Sequence, residues 1–572
     1  MQLTAYGAQD FYLTGNPQIS FFKAVYRRYT NFSMEMIEIL PNVNVDLQEN
    51  SDSSKLSFKI SRNGDLVKDM YLVFTLPSIF SSVDKSFEWI KRIGEYIIKE
   101  VTITVGGKEL DKQHGEYMHF YNELHLDEAQ KDGYNKMIGN FNKFNNVAQA
   151  YSGYYPGSNA YIPSISERQI IVPLQFWFNK SFAQALPLIA MQYDSEPEIT
   201  FTLRQFNQLY TVREGITVTL NLSVTDGEST TVTSDSGATN ISNGMTVSAG
   251  NKFPGGTIVS EIIPSENFFN ITFSNPVTNP GNSPFDITFT TSTSDLARNR
   301  PISADSNLGR FLSHNSSTDV TSLNINPRLE VNYIFLDKDE RKRFASVEHE
   351  YLVKQVQFRT DIVTPTSDKK VHTMEIIKDI QHPVSTLIWA IRRSDHENVN
   401  MWSNYTNWPV ESYDPLQTEL ASIGSYIFID GNPFNNSDYT SSGTNGGTNY
   451  ASLKHKNIML DATLKLNGSD RFNTKSFEFF NYTNNYQHHK RIPTDGINVY
   501  TFSVGNNDNM QPSGTCNMSK FEANLQMTLA PRAYEDILGA TPPTYNYNIY
   551  FYAVNYNVFR VLGGMANMEF SN

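Results

Sequence analysis

The 572-residue sequence predicts an all-β protein built from two similar β domains in tandem, with a further β module inserted in the first. Three observations predict this. Short β runs separated by Gly, Pro, Asn and Asp fill most of the chain. Landmarks in the first half recur in the same order in the second. The spacing between matched landmarks is unequal, which locates the insertion.

Single hydrophobic cores stop growing at roughly 250 to 300 residues, so this length calls for two or three domains. Charged residues make up 18% of the chain, below the usual figure of about 25%, and aromatics reach 13%. Few charges with abundant Tyr, Phe, Asn and Thr favour strands and turns over long surface helices. The β runs include 55–60, 70–76, 100–105, Glu198–Leu203 and 549–561. Helical periodicity is rare; its clearest case is Tyr117, Phe120, Tyr121 and Leu124, on one face of a connecting helix that packs into a core.

The run Met70-Tyr71-Leu72-Val73-Phe74 follows the turn Asn63-Gly64-Asp65, as Leu387-Ile388-Trp389-Ala390-Ile391 follows His382-Pro383. Thr102-Ile103-Thr104-Val105-Gly106-Gly107 is echoed by Thr463-Leu464-Lys465-Leu466-Asn467-Gly468, alternation running into a tight hairpin turn each time. Val331-Asn332-Tyr333 is echoed by Val554-Asn555-Tyr556, each in a strand that closes its half.

Val105 and Val331 lie 226 residues apart, against 88 between Leu466 and Val554, so the first half holds 138 more residues. Most of the excess is assigned to 212–326. Ser and Thr supply 27 of the 86 residues from Gly215 to Arg300, with Lys252 the single lysine. Its β runs 216–224, Phe269–Phe273 and Phe285–Thr290 argue for an inserted β module over a structureless loop. Closing a loop of this length instead of ten residues costs only about 2 kcal/mol, so such a guest is tolerated at a surface turn.

The net charge of -13 would repel a phosphate backbone, and Lys and Arg form no basic stripe, so no direct nucleic-acid partner is expected. Cys516 is the single cysteine, which excludes an intramolecular disulfide or a thiolate zinc site and suits a reducing cytoplasm. The start of the chain lacks the pattern of a signal peptide. The apolar stretch 170–191 is interrupted by Pro173, Asn179, Lys180 and Pro187, and reads as a strand followed by a short helix. No phosphate loop, nucleophile elbow or metal-ligand spacing is present, so no catalytic residue, metal or cofactor is expected. His488-His489 reads as a solvated loop pair. The acceptor patterns at Asn221, Asn240, Asn270, Asn315, Asn404 and Asn467 are expected by chance in an Asn-rich chain.

Several blocks carry a resemblance. They begin with Ala5-Tyr6-Gly7-Ala8-Gln9-Asp10, Leu13-Thr14-Gly15-Asn16-Pro17-Gln18, Phe21-Phe22-Lys23 and Tyr26-Arg27-Arg28-Tyr29-Thr30-Asn31-Phe32. Ile60-Ser61-Arg62-Asn63-Gly64-Asp65, Pro173-Leu174-Gln175-Phe176-Trp177-Phe178 and Tyr333-Ile334-Phe335-Leu336-Asp337 follow, with Glu340-Arg341-Lys342-Arg343-Phe344. Gln511-Pro512-Ser513-Gly514-Thr515 and Ala553-Val554-Asn555-Tyr556-Asn557-Val558 come near the end. Together they resemble the major capsid proteins of nucleocytoplasmic large DNA viruses, across nearly the whole chain except 212–326.

That resemblance implies two tandem eight-stranded jelly rolls: an inner-face segment 1–30, a first roll 31–340 with the module 212–326, and a second roll 341–572, the boundary falling near Glu340 to Arg343. It implies a homotrimer forming a pseudo-hexagonal capsomer of an icosahedral shell, and contacts with neighbouring capsomers and with minor capsid and penton proteins. It also implies a place in the virion after assembly in the host cytoplasm. Lys23, Arg27 and Arg28 against Asp10 give the amino-terminal segment a local charge of +2, and are the candidate inner-face contacts with minor capsid proteins or the inner membrane periphery. The rival reading is a carbohydrate-binding or carbohydrate-active β-sandwich, since jelly rolls host both functions.

Overall fold

The structure is a computed structural model. It describes residues 7–570 apart from 44–45, 50–53, 82–84, 142–161, 195, 215–216, 223–230, 235–245, 251, 255–256, 258, 265–268, 278–284, 291–307, 314–318, 366–369, 376–379, 408–426, 430–431, 435–455, 506–510 and 532–543. Asn240 and Asn315 lie outside the described residues.

In the first half, one four-stranded antiparallel sheet runs in the order Phe32–Ile39, Arg328–Leu336, Leu66–Leu76, Arg168–Pro173. The second runs Ser54–Lys59, Glu198–Leu203, Ile98–Val105, Lys108–Gln113. Along the chain each strand crosses to the other sheet, except that Ile98–Val105 and Lys108–Gln113 follow one another in the same sheet, and the last strand lies beside the first, which is jelly-roll winding. Strict alternation of buried and open positions in Glu198–Leu203 and Ser54–Lys59 turns Leu56, Phe58, Ile199 and Phe201 inward. There they join Leu72, Phe74, Ile170, Val172, Leu329 and Val331 in one core. Phe58 and Phe201 meet edge to face at 5.7 Å.

The second half repeats this order strand for strand. One sheet runs His349–Val363, Tyr547–Leu562, Pro383–Arg393, Ile497–Thr501, and the other Lys370–Glu375, Ala523–Leu529, Met459–Leu466, Ser469–Asp470. Trp389, Phe480, Phe551, Leu464, Leu525 and Met527 fill its core. All three sequence landmarks occupy equivalent places: the third strand of the first sheet, the hairpin of the second sheet, and the strand that lies beside its half's first strand. Both hairpins close on consecutive residues of positive φ, Gly106 (58°) and Gly107 (79°) in one, Asn467 (51°) and Gly468 (77°) in the other. That is the turn whose twist matches the flanking strands.

The charged stretch Glu340 to Arg343 lies within the helix Lys338–Ser346, which links Arg328–Leu336 to His349–Val363. Asp337 starts this helix by accepting the Lys338 N–H at 2.7 Å. The stretch 170–191 is a strand, Arg168–Pro173, then a short helix, Trp177–Lys180, and 3-10 turns. Among the described residues no helix is long and apolar enough to cross a membrane.

The guest is narrower than 212–326. Val212 sits in strand Tyr210–Glu214, which pairs with Lys85–Trp89, while Leu308, Phe311, Leu323 and Ile325 are buried in the first roll's core. Polar composition hid these margins because only scattered apolar anchors mark them. Between them are two three-stranded sheets, Thr217–Leu222, Phe285–Thr290, Thr246–Ser248 and Thr231–Ser234, Phe269–Phe273, Val259–Pro264. Phe273 packs on Phe253 (4.9 Å) and on Phe289 (6.2 Å), giving the guest its own small core.

Three residue sites named from the sequence take definite places. Cys516 is buried in a two-residue strand, Cys516–Asn517, beside Pro383 and Val384. His488, at the end of helix Asn484–His488, and His489 are both part-buried, with His488 Nδ1 3.1 Å from the Val504 carbonyl oxygen and His489 Nε2 3.1 Å from the Thr501 hydroxyl, so the two are not a solvated pair. Asn404 is fully buried, and its Oδ1 accepts the Thr406 N–H and hydroxyl, which closes it to modification in the folded chain.

Candidate assembly surfaces

Helix Gly115–His125 of the first half lies on the first sheet of the second half. Tyr117, Phe120 and Leu124, the sequence-periodic face, pack with Ile388, Ala390, Val499, Tyr552 and Val554, and Tyr121 flanks them. The expected core packing is therefore a seam between the rolls. A buried ionic network borders it: Arg392, 1% exposed, ion-pairs with Glu116 on the helix and with Glu397 (3.0 Å), and donates to the Trp402 carbonyl at 2.7 Å. Burial opposes the Arg392 charge, but Glu116, Tyr550 and Glu397 outweigh it and hold the pKa well above the ordinary arginine value.

A second network continues across the seam. Arg92 ion-pairs with Glu123, Arg491 reaches Glu123 (3.5 Å) and Glu128 (2.9 Å), and His119 Nδ1 lies 3.4 Å from Glu95. Burial alone would raise the Glu95 pKa, yet His119, Arg92 and the Tyr134 hydroxyl hold it at about 2. Sequence reasoning missed these residues. The one available signal was Arg392-Arg393 ending an otherwise apolar strand run.

Two sheet edges also face each other along this seam, strand Lys108–Gln113 from the first roll and His349–Val363 from the second. Side chains close them. Gln355 donates to the Leu110 carbonyl (2.6 Å), Gln184 donates to the Leu352 carbonyl (2.6 Å), and the Val356 N–H donates to the Asp111 carboxylate. Burial pushes Asp111 up to about 7. A cleft of about 720 Å³ remains beside these edges, lined by Lys108, Lys112, His114, Gln357 and Glu569 among others.

The amino-terminal segment behaves differently. Residues 16–36 are exposed throughout, Lys23, Arg27 and Arg28 with them, and so are Phe21, Phe22 (100% exposed), Tyr26 and Tyr29. The segment leads straight into Phe32–Ile39, the outermost strand of its sheet, whose Phe32, Met34 and Met36 are each about half exposed. An apolar arm and an apolar sheet edge with no cover in the single chain are surfaces made for association.

Comparison with known proteins agrees with that chemistry. Residues 340–567 match the family model for the large eukaryotic DNA virus major capsid protein, and residues 20–240 match that for the major capsid protein N-terminus. The major capsid protein of Phaeocystis pouchetii virus is 30% identical over 629 aligned residues, covering 100% of this chain and 99% of the relative. The chain belongs to the major capsid proteins of large eukaryotic DNA viruses. The major capsid protein of Paramecium bursaria Chlorella virus 1 is 27% identical, with 100% of this chain and 99% of the relative covered. Among solved structures, the quasi-atomic model of the PBCV-1 virus capsid superposes with a TM-score of 0.56 at 24% identity, covering 97% of this chain and 100% of that one. The Faustovirus major capsid protein gives 0.58 at 12%, covering 97% and 94%. These likenesses fix the fold as a double jelly roll. As a major capsid protein the chain is a structural component of the virion, not an enzyme, so the carbohydrate-active reading gives way. Asp111, the buried acid nearest the cleft, is engaged in closing sheet edges.

Proposed function

We propose that three copies of this major capsid protein associate into a pseudo-hexagonal capsomer, and that such capsomers tile the icosahedral outer shell, assembled in the host cytoplasm. The observation that carries this reading is the repeated strand order in one chain, with the two rolls locked across a buried ionic seam. Three such chains present six alike rolls around a three-fold axis, so one gene product fills a six-fold lattice position. Closed rings of this kind use identical heterologous contacts. An obligate interface would bury about 2,000 to 5,000 Å².

Within this reading, neighbouring capsomers and minor capsid and penton proteins are the further partners, and Lys23, Arg27 and Arg28 on the exposed arm are contact residues of the assembly. The guest between Glu214 and Leu308 stands on the outward face, a placement supported by its own small core and its Ser- and Thr-rich composition. Light scattering on the purified protein at micromolar concentration tests the reading: a mass near three times 65.0 kDa, unchanged by chelator, is expected. A monomer would overturn it.

A further inference from the structure

We propose that the arm of one copy, residues 16–31, pairs as an added strand along the open edge Phe32–Ile39 of the next copy around the three-fold ring. This rests on the trimeric reading above and names the contact that closes it.

The edge is open in a way the seam edges are not. Lys108–Gln113 and His349–Val363 are closed by Gln355, Gln184 and Asp111, whereas Phe32–Ile39 is eight residues long, apolar and exposed. It contains no Lys or Pro to discourage pairing. The Asp337 N–H donates to the Asn31 carbonyl at 3.2 Å, and Phe32 stands opposite Leu336. By antiparallel alternation, Ser33, Glu35, Ile37 and Ile39 then turn their main-chain groups to the neighbouring strand. Phe32, Met34, Met36 and Glu38 turn theirs outward, free to bond another chain.

The arm fits this edge in charge and in reach. Glu38 lies opposite Glu330, and the two share one cation, Arg328, at 3.6 and 3.5 Å. Like charges directly opposed are unfavourable, so Lys23, Arg27 or Arg28 from a second chain supplies the missing positive charge. Sixteen extended residues span at most about 55 Å, against about 27 Å for the eight-residue edge, leaving length to cross between copies.

The arm does not cover its own edge: among the described residues Phe32–Ile39 pairs only with Arg328–Leu336, and residues 16–31 are exposed throughout. Its last residue, Asn31, is held in line with the strand by Asp337. A second copy is therefore the occupant. Each copy offers one arm and one edge, so a ring of three uses every arm and every edge once.

Cysteine cross-linking tests this, because Cys516, the single native cysteine, is buried. Met34→Cys on the edge is combined with Phe22→Cys, Tyr26→Cys or Tyr29→Cys on the arm in the full-length chain, and the protein is mildly oxidised. At least one double variant should run as a covalent trimer without reductant, and the matching single variants, mixed, should give covalent dimers. Lys23→Glu/Arg27→Glu/Arg28→Glu should weaken trimerisation at least about tenfold, the effect of losing about 1.4 kcal/mol, and Glu35→Lys/Glu38→Lys should restore it. Native trimers that form no cross-link at any arm position and survive the charge reversal would overturn the proposal and leave the trimer standing. A monomeric unmodified chain would instead overturn the trimer reading itself. An arm that yields no cross-link but carries the protein to anionic lipid vesicles would replace the second copy with a membrane surface and overturn the proposal.

Discussion

Replacing Arg392 by Met tests whether the two rolls are held as one body. Arg392 is 1% exposed and Glu116, its partner on the seam helix, 4%, so neither charge is screened by water. Removing the guanidinium strands Glu116 in a buried site, where the Tyr552 hydroxyl at 3.4 Å is a weak substitute, and also leaves the Trp402 carbonyl without its donor. Breaking a buried pair from one side costs about 3 to 5 kcal/mol, and the lost carbonyl contact adds about 1 kcal/mol. Glu116→Gln should cost a similar amount by orphaning Arg392, although Glu397 retains part of its charge balance. The double variant Arg392→Met/Glu116→Gln leaves only Glu397 without its cation, and that carboxylate is 28% exposed and still bonded by Tyr550 and Asn548, so the double cost should fall well below the sum of the singles. Urea unfolding followed by tryptophan fluorescence at fixed protein concentration reads all four corners of the cycle. Single costs below about 1 kcal/mol, or costs that add within about 0.5 kcal/mol, would refute the seam as a buried ionic lock.

Stability should fall in mild acid. Burial pushes His114 and His396 down to about 4 and His489 to about 3, below the unfolded value near 6.5, so their contribution is intact above pH 6.5 and is lost as pH drops toward those values. Each costs about 2 kcal/mol at pH 5, and His396→Gln should flatten the fall in melting temperature between pH 7 and 5 by its share. Asp111, pushed up to about 7, acts in the opposite sense: its burial cost is greatest above pH 7 and relaxes below, so Asp111→Asn should steepen the acid loss. Replacing residues 215–307 with a Gly-Ser linker should leave a soluble protein of unchanged oligomeric state. Removing 213–325 should yield aggregates on gel filtration, because Leu308, Phe311, Leu323 and Ile325 leave the core. Cys516→Ser should cost about 1 kcal/mol in a urea titration by placing a hydroxyl among buried apolar side chains, with no change in native mass.

The sequence by itself determined the repeating strand pattern, because a strand's faces alternate every two residues and a tight hairpin needs positive φ at adjacent positions. Glu198–Leu203 and Phe285–Thr290 are bounded correctly from that pattern alone. The turns Gly106-Gly107 and Asn467-Gly468 mark the same corner of both rolls for the same local reason. The capsid family was legible too, through ordered blocks outside the guest. The tertiary structure decided what depends on partners far apart in the chain. Arg392 and Glu116 are 276 positions apart, and no local period links a strand-end arginine to a glutamate in the first turn of a distant helix. Tyr117, Phe120 and Leu124 signalled a buried helix face, but only the packed chain shows that the other roll buries it. The same holds for the margins of the guest, where isolated apolar anchors such as Val212 and Ile325 reach the core through folding and not through pattern. The arm shows the converse: its apolar side chains would be buried by hydropathy alone, yet the folded single chain leaves them in water, because no described strand of the same chain pairs with residues 16–31.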